Sequence, residues 1–236
     1  MGRFHDKSFP GETIDYRRHR DRLIEAELGL RRQVEEVAKM RRNLPRGGTL
    51  KEDYVFDEGG FDLADRVAVR RTRFSELFEG NKSSLAIYSF MFAPGARAPC
   101  PMCTSFLDSL NGAAPHIKQR INLAVIAKTS ITDLREFARS RRWNHLRLLS
   151  SKDNSFNSDY HAEQSAQEQT PLFHVFERAG DGMYHVYSTE LQFLPPDADQ
   201  NQRHLDMMWP LWNVFDMTRE GRGKHWFPSI SYGLDV

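Results

Sequence analysis

The chain holds two cysteines, and both fall within four residues, as Cys100-Pro101-Met102-Cys103. Two cysteines placed at random in 236 positions take this spacing only about 1% of the time, so the C-x-x-C pattern carries weight. Its chemistry depends on where it stands. The apolar run at residues 84–92 (SLAIYSFMF) reads as a strand buried on both faces, and residues 93–99 read as a loop containing Pro94, Gly95 and Pro99. A helix is expected to open at Cys100. Its N-terminus offers unpaired backbone N–H groups and a partial positive charge. A thiolate there is stabilised, and its pKa falls, typically to about 3.5–7.5 in such motifs. Cys100 would be the exposed nucleophile. Cys103 lies one turn on, near enough to close a disulfide with it. Pro101 suits the first helical turn, where its missing N–H costs nothing.

Other readings of the pair stay open. Two buried cysteines that never oxidise are one. Half of a zinc site is another, with His116, His145, His161, His174 and His185 as the available extra ligands. No H-x(3–5)-H pairing or second C-x-x-C supports it. Dinucleotide, P-loop, metalloprotease and hydrolase-elbow motifs are all missing, so no cofactor is expected.

The elements around the motif follow from periodicity. A helix is expected over residues 13–42, with Thr13 as its cap and Arg41 and Arg42 at its negative end. Leu23, Leu30 and Val37 recur every seven residues, a narrow stripe that must bury against the body of the protein or a second copy of the chain, as in a short coiled coil. Asn43 to Gly48 ends it. Between residues 49 and 78 the pattern is mixed: a short strand at 53–56, a turn at Gly59-Gly60 and a helical turn at 75–78. After the motif come a strand at 121–127, a helix at 130–142 capped by Ser130, a strand at 146–150, and two strands at 172–177 and 183–189 joined by Gly180-Asp181-Gly182. Strands alternating with helices argue a largely parallel α/β sheet, closed here by an antiparallel hairpin. Pro171 stands at the start of the first hairpin strand, a position proline tolerates. Residues 195–236 are rich in aromatics, Trp209, Trp212, Phe215, Trp226 and Phe227 among them, and are expected to pack on the body.

The division that results is a helical arm (1–48), a central domain (49–194) and a C-terminal extension (195–236). Net charge is +1, from 33 basic and 32 acidic side chains. That is too even for a nucleic-acid-binding domain. No run reaches the roughly 18 apolar residues of a membrane helix, and the N-terminal residues contain no secretory apolar stretch. The expected compartment is the cytoplasm.

The chain resembles the thioredoxin superfamily, and within it a mostly bacterial branch described as predicted dithiol–disulfide oxidoreductases. The resemblance rests on a collinear series of short motifs between residues 13 and 222: Arg41-Arg42-Asn43-Leu44-Pro45, Glu52 to Phe56, Ser75 to Phe78, Phe90 to Pro94, Cys100 to Cys103, Ser155 to Asp159, Tyr184 to Thr189, and Asp216 to Arg222. It implies a thioredoxin-like central mixed sheet flanked by helices. It also implies Cys100 as nucleophile, Cys103 as resolving thiol and Pro171 as a cis-proline facing them, with Pro101, Met102 and Thr170 against the substrate. The implied partner is a protein or small-molecule thiol or disulfide. The chain departs from thioredoxins in lacking a Trp before the motif and an acid in the preceding strand. A peroxiredoxin-type peroxidase fits poorly, because the P-x-x-x-T-x-x-C pattern is missing. A binding module that holds a metal, or dimerises through its N-terminal helix, is the non-enzymatic alternative.

Overall fold

The computed structural model describes residues 3–165, 167–180, 182–195, 205–223 and 225–232. Asp181, in the expected hairpin turn, and residues 196–204, 224 and 233–236 of the expected C-terminal extension lie outside them. The chain divides into two compact units, Met1–Pro45 and Arg46–Val236.

The first unit holds α1 (Ile14–Arg42). Its boundaries have local causes. The Thr13 side chain accepts the Tyr16 N–H at 3.1 Å, Asp15 stands in the first turn, and Lys39, Arg41 and Arg42 crowd the last, where cations suit the dipole.

The second unit is built on one sheet. In chain order it contains β1 (Val55–Gly59), β2 (Val69–Arg73), β3 (Ser84–Phe90), α2 (Pro101–Ile117), β4 (Asn122–Ala127), α3 (Ile131–Arg141), β5 (Leu148–Ser150), α4 (Phe156–Asp159), β6 (Leu172–Ala179), β7 (Gly182–Ser188) and α5 (Pro210–Phe215). The seven strands lie in the order β2-β1-β5-β4-β3-β6-β7. β3, β4 and β5 run parallel, while β6 pairs antiparallel with β3 and β7 with β6. A β-α-β unit with a hairpin added beside its first strand is the thioredoxin-like arrangement, and α2 follows β3, which lies between β4 and β6, after a ten-residue loop.

Alternation along β3 builds the core on two faces. Ala86, Tyr88 and Phe90 pack against Phe106, Leu107 and Leu110 of α2 and Leu134 of α3. Leu85 and Ile87 face the other way, against Phe56, Phe156 and Phe176. Burial of both faces explains why this strand is almost continuously apolar. Leu205, Trp209 and Trp212 belong to the α2-side cluster. Among the described residues, no helix is long and apolar enough to cross a membrane.

Two differences from the sequence expectations have physical causes. The sheet starts with a β1–β2 hairpin in place of a single short strand, and β2 is Val-Arg-Arg-Thr-Arg with only Thr72 buried. An exposed strand without apolar alternation leaves no periodic signal, and its charges protect the sheet edge. The Thr170–Pro171 bond is trans, since the described residues contain no cis peptide. The expected cis-proline is therefore corrected to the ordinary isomer, which X-Pro bonds favour by about 0.5–1 kcal/mol.

Candidate active site

Cys100 is the N-cap of α2, with extended backbone (φ −60°, ψ 124°), and Pro101 follows at the first helical position. The cap is tied down on both sides. The Cys100 N–H donates to the Met91 carbonyl at 3.0 Å, and the Cys100 carbonyl accepts the Thr104 N–H at 3.0 Å and the Thr104 hydroxyl at 2.9 Å. The sulfur stands half-buried against the core.

Cys103, one turn later, is 3% exposed. The two thiols hydrogen-bond, and the environment drives them apart in acidity. The Cys103 thiol donates to the Cys100 sulfur, and against the penalty of partial burial the N–H groups of Cys103 and Met102 add to this. The Cys100 thiol is lowered to about 6. Cys103 moves well above the usual thiol range, because burial disfavours its thiolate and its proton is held by the Cys100 sulfur. The result is one thiolate at the helix N-terminus and one protonated thiol beneath it, a division set by the hydrogen bond between them and by the burial of Cys103.

Tyr88 is a third member that the sequence reading missed. It is fully buried in β3, on the face toward α2, and its hydroxyl hydrogen-bonds to Cys103. Its ring lies 4.8 Å from that of Phe106, which stacks edge-on against Trp209 at 5.9 Å. β3 has no acid, yet it delivers a polar group to the buried sulfur. A tyrosine inside an apolar run reads as packing; only its position two residues before the strand's last residue hints at its reach.

The remaining expected residues divide. Pro101 is exposed beside Cys100, and Met102 is half-buried on the α2-side core. β6 pairs Leu172 with Ser89, a register that puts Pro171 opposite Phe90, at the end of the sheet from which the chain leads to Cys100. Thr170 donates its N–H to the Ala162 carbonyl at 2.8 Å. The histidines do not gather round the cysteines: among the described residues no group of three or more His, Cys, Asp or Glu is placed to hold a metal.

A family model described as "Bacterial protein of unknown function (DUF899)" matches residues 7–232. No curated protein matches. Solved structures similar to the chain include a thioredoxin peroxidase I from Plasmodium yoelii, at 13% identity and a TM-score of 0.47, covering 72% of this chain and 90% of that one. A peroxiredoxin Q C84S mutant from Xanthomonas campestris has 10% identity and a TM-score of 0.45, over 70% of this chain and 98% of that one. A secreted Mycobacterium tuberculosis disulfide oxidoreductase homologous to E. coli DsbE has 15% identity and a TM-score of 0.38, over 66% and 95%.

Proposed function

We propose that this chain, which belongs to the DUF899 family, is a thiol–disulfide oxidoreductase that works through Cys100 and Cys103. The observation that carries the reading is the placement of Cys100 as the N-cap of α2 with the Cys103 thiol donating to it.

The cycle follows from that placement. The Cys100 thiolate attacks one sulfur of a substrate disulfide. The substrate S–S bond breaks, a Cys100–substrate mixed disulfide forms, and the first substrate sulfur leaves as a thiolate. Cys103 then gives up its proton, which ends on that departing thiolate or in solvent, and attacks the Cys100 sulfur. The intramolecular disulfide closes and the second substrate sulfur departs, with two electrons moved from protein to substrate. The Tyr88 hydroxyl donates to the Cys103 sulfur as it becomes negative. Pro101 and Met102 flank the nucleophile, and Thr170 and Pro171 enter β6 at the same end of the sheet; these four are the proposed docking surface for the substrate. In a reducing compartment such as the cytoplasm, the proposed direction is disulfide reduction.

The test is the reduction potential of the pair, read by thiol alkylation and mass spectrometry across a glutathione series. Thiol acidity sets the expectation. A Cys100 thiol near 6 stands between the roughly 7 of thioredoxin and the roughly 3.5 of DsbA, whose potentials are about −270 and −120 mV. One two-electron transition inside that window is expected. Absence of an intramolecular disulfide at every poise would overturn the reading.

A further inference from the structure

On the opposite face of the sheet from Tyr88, β6 and β7 carry a second reactive grouping. In regular pairing, residues three apart on a strand point to opposite faces. The β6–β7 register breaks this rule: His174 pairs with Ser188 and Val175 with Tyr187, but Phe176 pairs with His185. Val186 is an extra residue, a β-bulge. It turns His185 and Ser188 to the same face, opposite Phe176 and His174, which are two residues apart. Bulges recur beside active sites because they re-aim side chains in this way.

The Ser188 hydroxyl now lies between two imidazoles, 2.7 Å from His174 Nδ1 and 2.8 Å from His185 Nε2. His174 is completely buried, and its Nε2 meets no partner among the described residues. Burial, with the neighbouring His185 and His161 adding to it, lowers His174 to about 3, so the ring is neutral with one N–H. Placing that hydrogen on Nε2 would strand a buried donor, whereas on Nδ1 it donates to Ser188 Oγ. The Ser188 O–H is then directed at His185 Nε2. The His185 ring also hydrogen-bonds to the Tyr187 backbone. A hydroxyl aimed at an imidazole nitrogen, with that imidazole held in turn by a backbone group, is the geometry of an activated nucleophile.

The pair opens on a cavity of about 710 Å³, walled also by Tyr160, His161, Glu190 and Phe193. His161 holds a left-handed backbone (φ 58°), a conformation that non-glycine residues keep chiefly where the surroundings enforce it. Its ring lies 6.1 Å from that of Phe193. The aromatic walls suit an apolar group, and the Glu190 carboxylate disfavours an anion.

We propose that Ser188 is a nucleophile with His185 as its general base, and that the cavity takes small uncharged esters. In the acyl-transfer step a bond forms from Ser188 Oγ to the ester carbonyl carbon, and the bond from that carbon to the leaving oxygen breaks. The Oγ proton passes to His185 Nε2 and from there to the leaving alkoxide. Water then hydrolyses the acyl-serine by the reverse use of His185. His174 holds Oγ in place through its Nδ1–H. This chemistry requires neither cysteine.

The probe is an uncharged alkyl fluorophosphonate, which forms an Oγ–P bond as its P–F bond breaks. Intact mass and peptide mapping of the treated full-length protein should show one adduct, on Ser188. Ser188→Ala should abolish it. His185→Gln keeps a hydrogen-bonding side chain but removes the base, and should slow labelling at least 100-fold, within the usual range for a lost general base. If Ser188→Ala does not fold, the wild-type peptide map still decides. No adduct on Ser188, or equal labelling rates in wild type and His185→Gln, overturns the proposal and leaves the serine as a structural partner of buried His174.

Discussion

At the residue scale, hydrogen bonds and depth together divide two identical side chains. Cys100 at the cap sees N–H groups and a thiol donor; Cys103 sees hydrocarbon, Tyr88 and the other sulfur. Alkylation of Cys100 in the reduced protein should therefore rise with pH to half its maximum near 6, well below an ordinary thiol. The sign follows: a folded-state value below the unfolded one stabilises the reduced fold fully above the ordinary thiol range, and that contribution fades as pH falls toward 6. A hydrogen bond to a charged group is worth about 1.5–3 kcal/mol, and 1.36 kcal/mol is one pKa unit. Cys103→Ala should then move the alkylation midpoint up by roughly 1–2 units, while Cys103→Ser, which keeps a donor, should move it less. Tyr88→Phe leaves the ring packing in place and removes only the hydroxyl. It should slow resolution of the mixed disulfide about tenfold, seen as accumulation of a Cys100–substrate adduct in quenched mass spectra, with little change in melting temperature. The cysteine pair was legible in the sequence because its spacing is rare. Tyr88 was not, because a buried tyrosine gives the same apolar signature whether or not its hydroxyl has a task.

At the scale of elements, the strands that position the site announced themselves and the one that guards the edge did not. β3 and β4 are buried on both faces, so they are written as nearly continuous apolar runs. β2 is written in arginines, and what it does becomes visible only through its neighbour. Glu58 of β1 is a buried carboxylate that accepts Arg147 at 2.8 and 3.0 Å, Arg70 at 3.0 Å and the Thr72 hydroxyl at 2.7 Å. It joins β1 and β2 to the residue just before β5. Burial alone would raise its pKa, but the Arg147 and Thr72 hydrogen bonds, with the charges of Arg147 and Arg70, hold it below the ordinary carboxylate value. Removing that charge takes the bidentate partner from half-buried Arg147, which keeps Glu79 at 2.9 Å, so Glu58→Gln should cost about 1–3 kcal/mol, measured as a lower urea midpoint at unchanged m-value. The pH sign is fixed by the depressed value. The wild-type contribution is complete above the unfolded glutamate pKa and is lost as pH falls through the folded one. The stability gap between wild type and Glu58→Gln should therefore narrow in acid.

At the scale of the whole molecule, one sheet separates the two proposed sites. Successive residues of β6 serve opposite faces: the Phe173 ring lies 6.4 Å from Tyr88 on the thiol side, and His174 stands with Phe156 and Tyr160 on the other. All the groups that set the acidity of the two sulfurs, Tyr88, Met91 and Met102 among them, belong to Arg46–Val236. So do all seven strands and both core clusters. The seven-residue apolar repeat of α1 stops at Asn43 to Gly48, where proline and glycine end the helix, close to the boundary between the two compact units. Removing residues 1–45 should accordingly leave a fragment that melts in one cooperative transition and keeps its Cys100 alkylation midpoint near 6. A midpoint displaced by a full unit toward the ordinary thiol range would mean that the arm helps to build the thiolate site. Comparing the same curve for intact and shortened chains makes the thiol a reporter on the architecture. Its acidity is the sum of contacts from β3, the loop after it and the first turn of α2, and it holds its value only while those three stay in register.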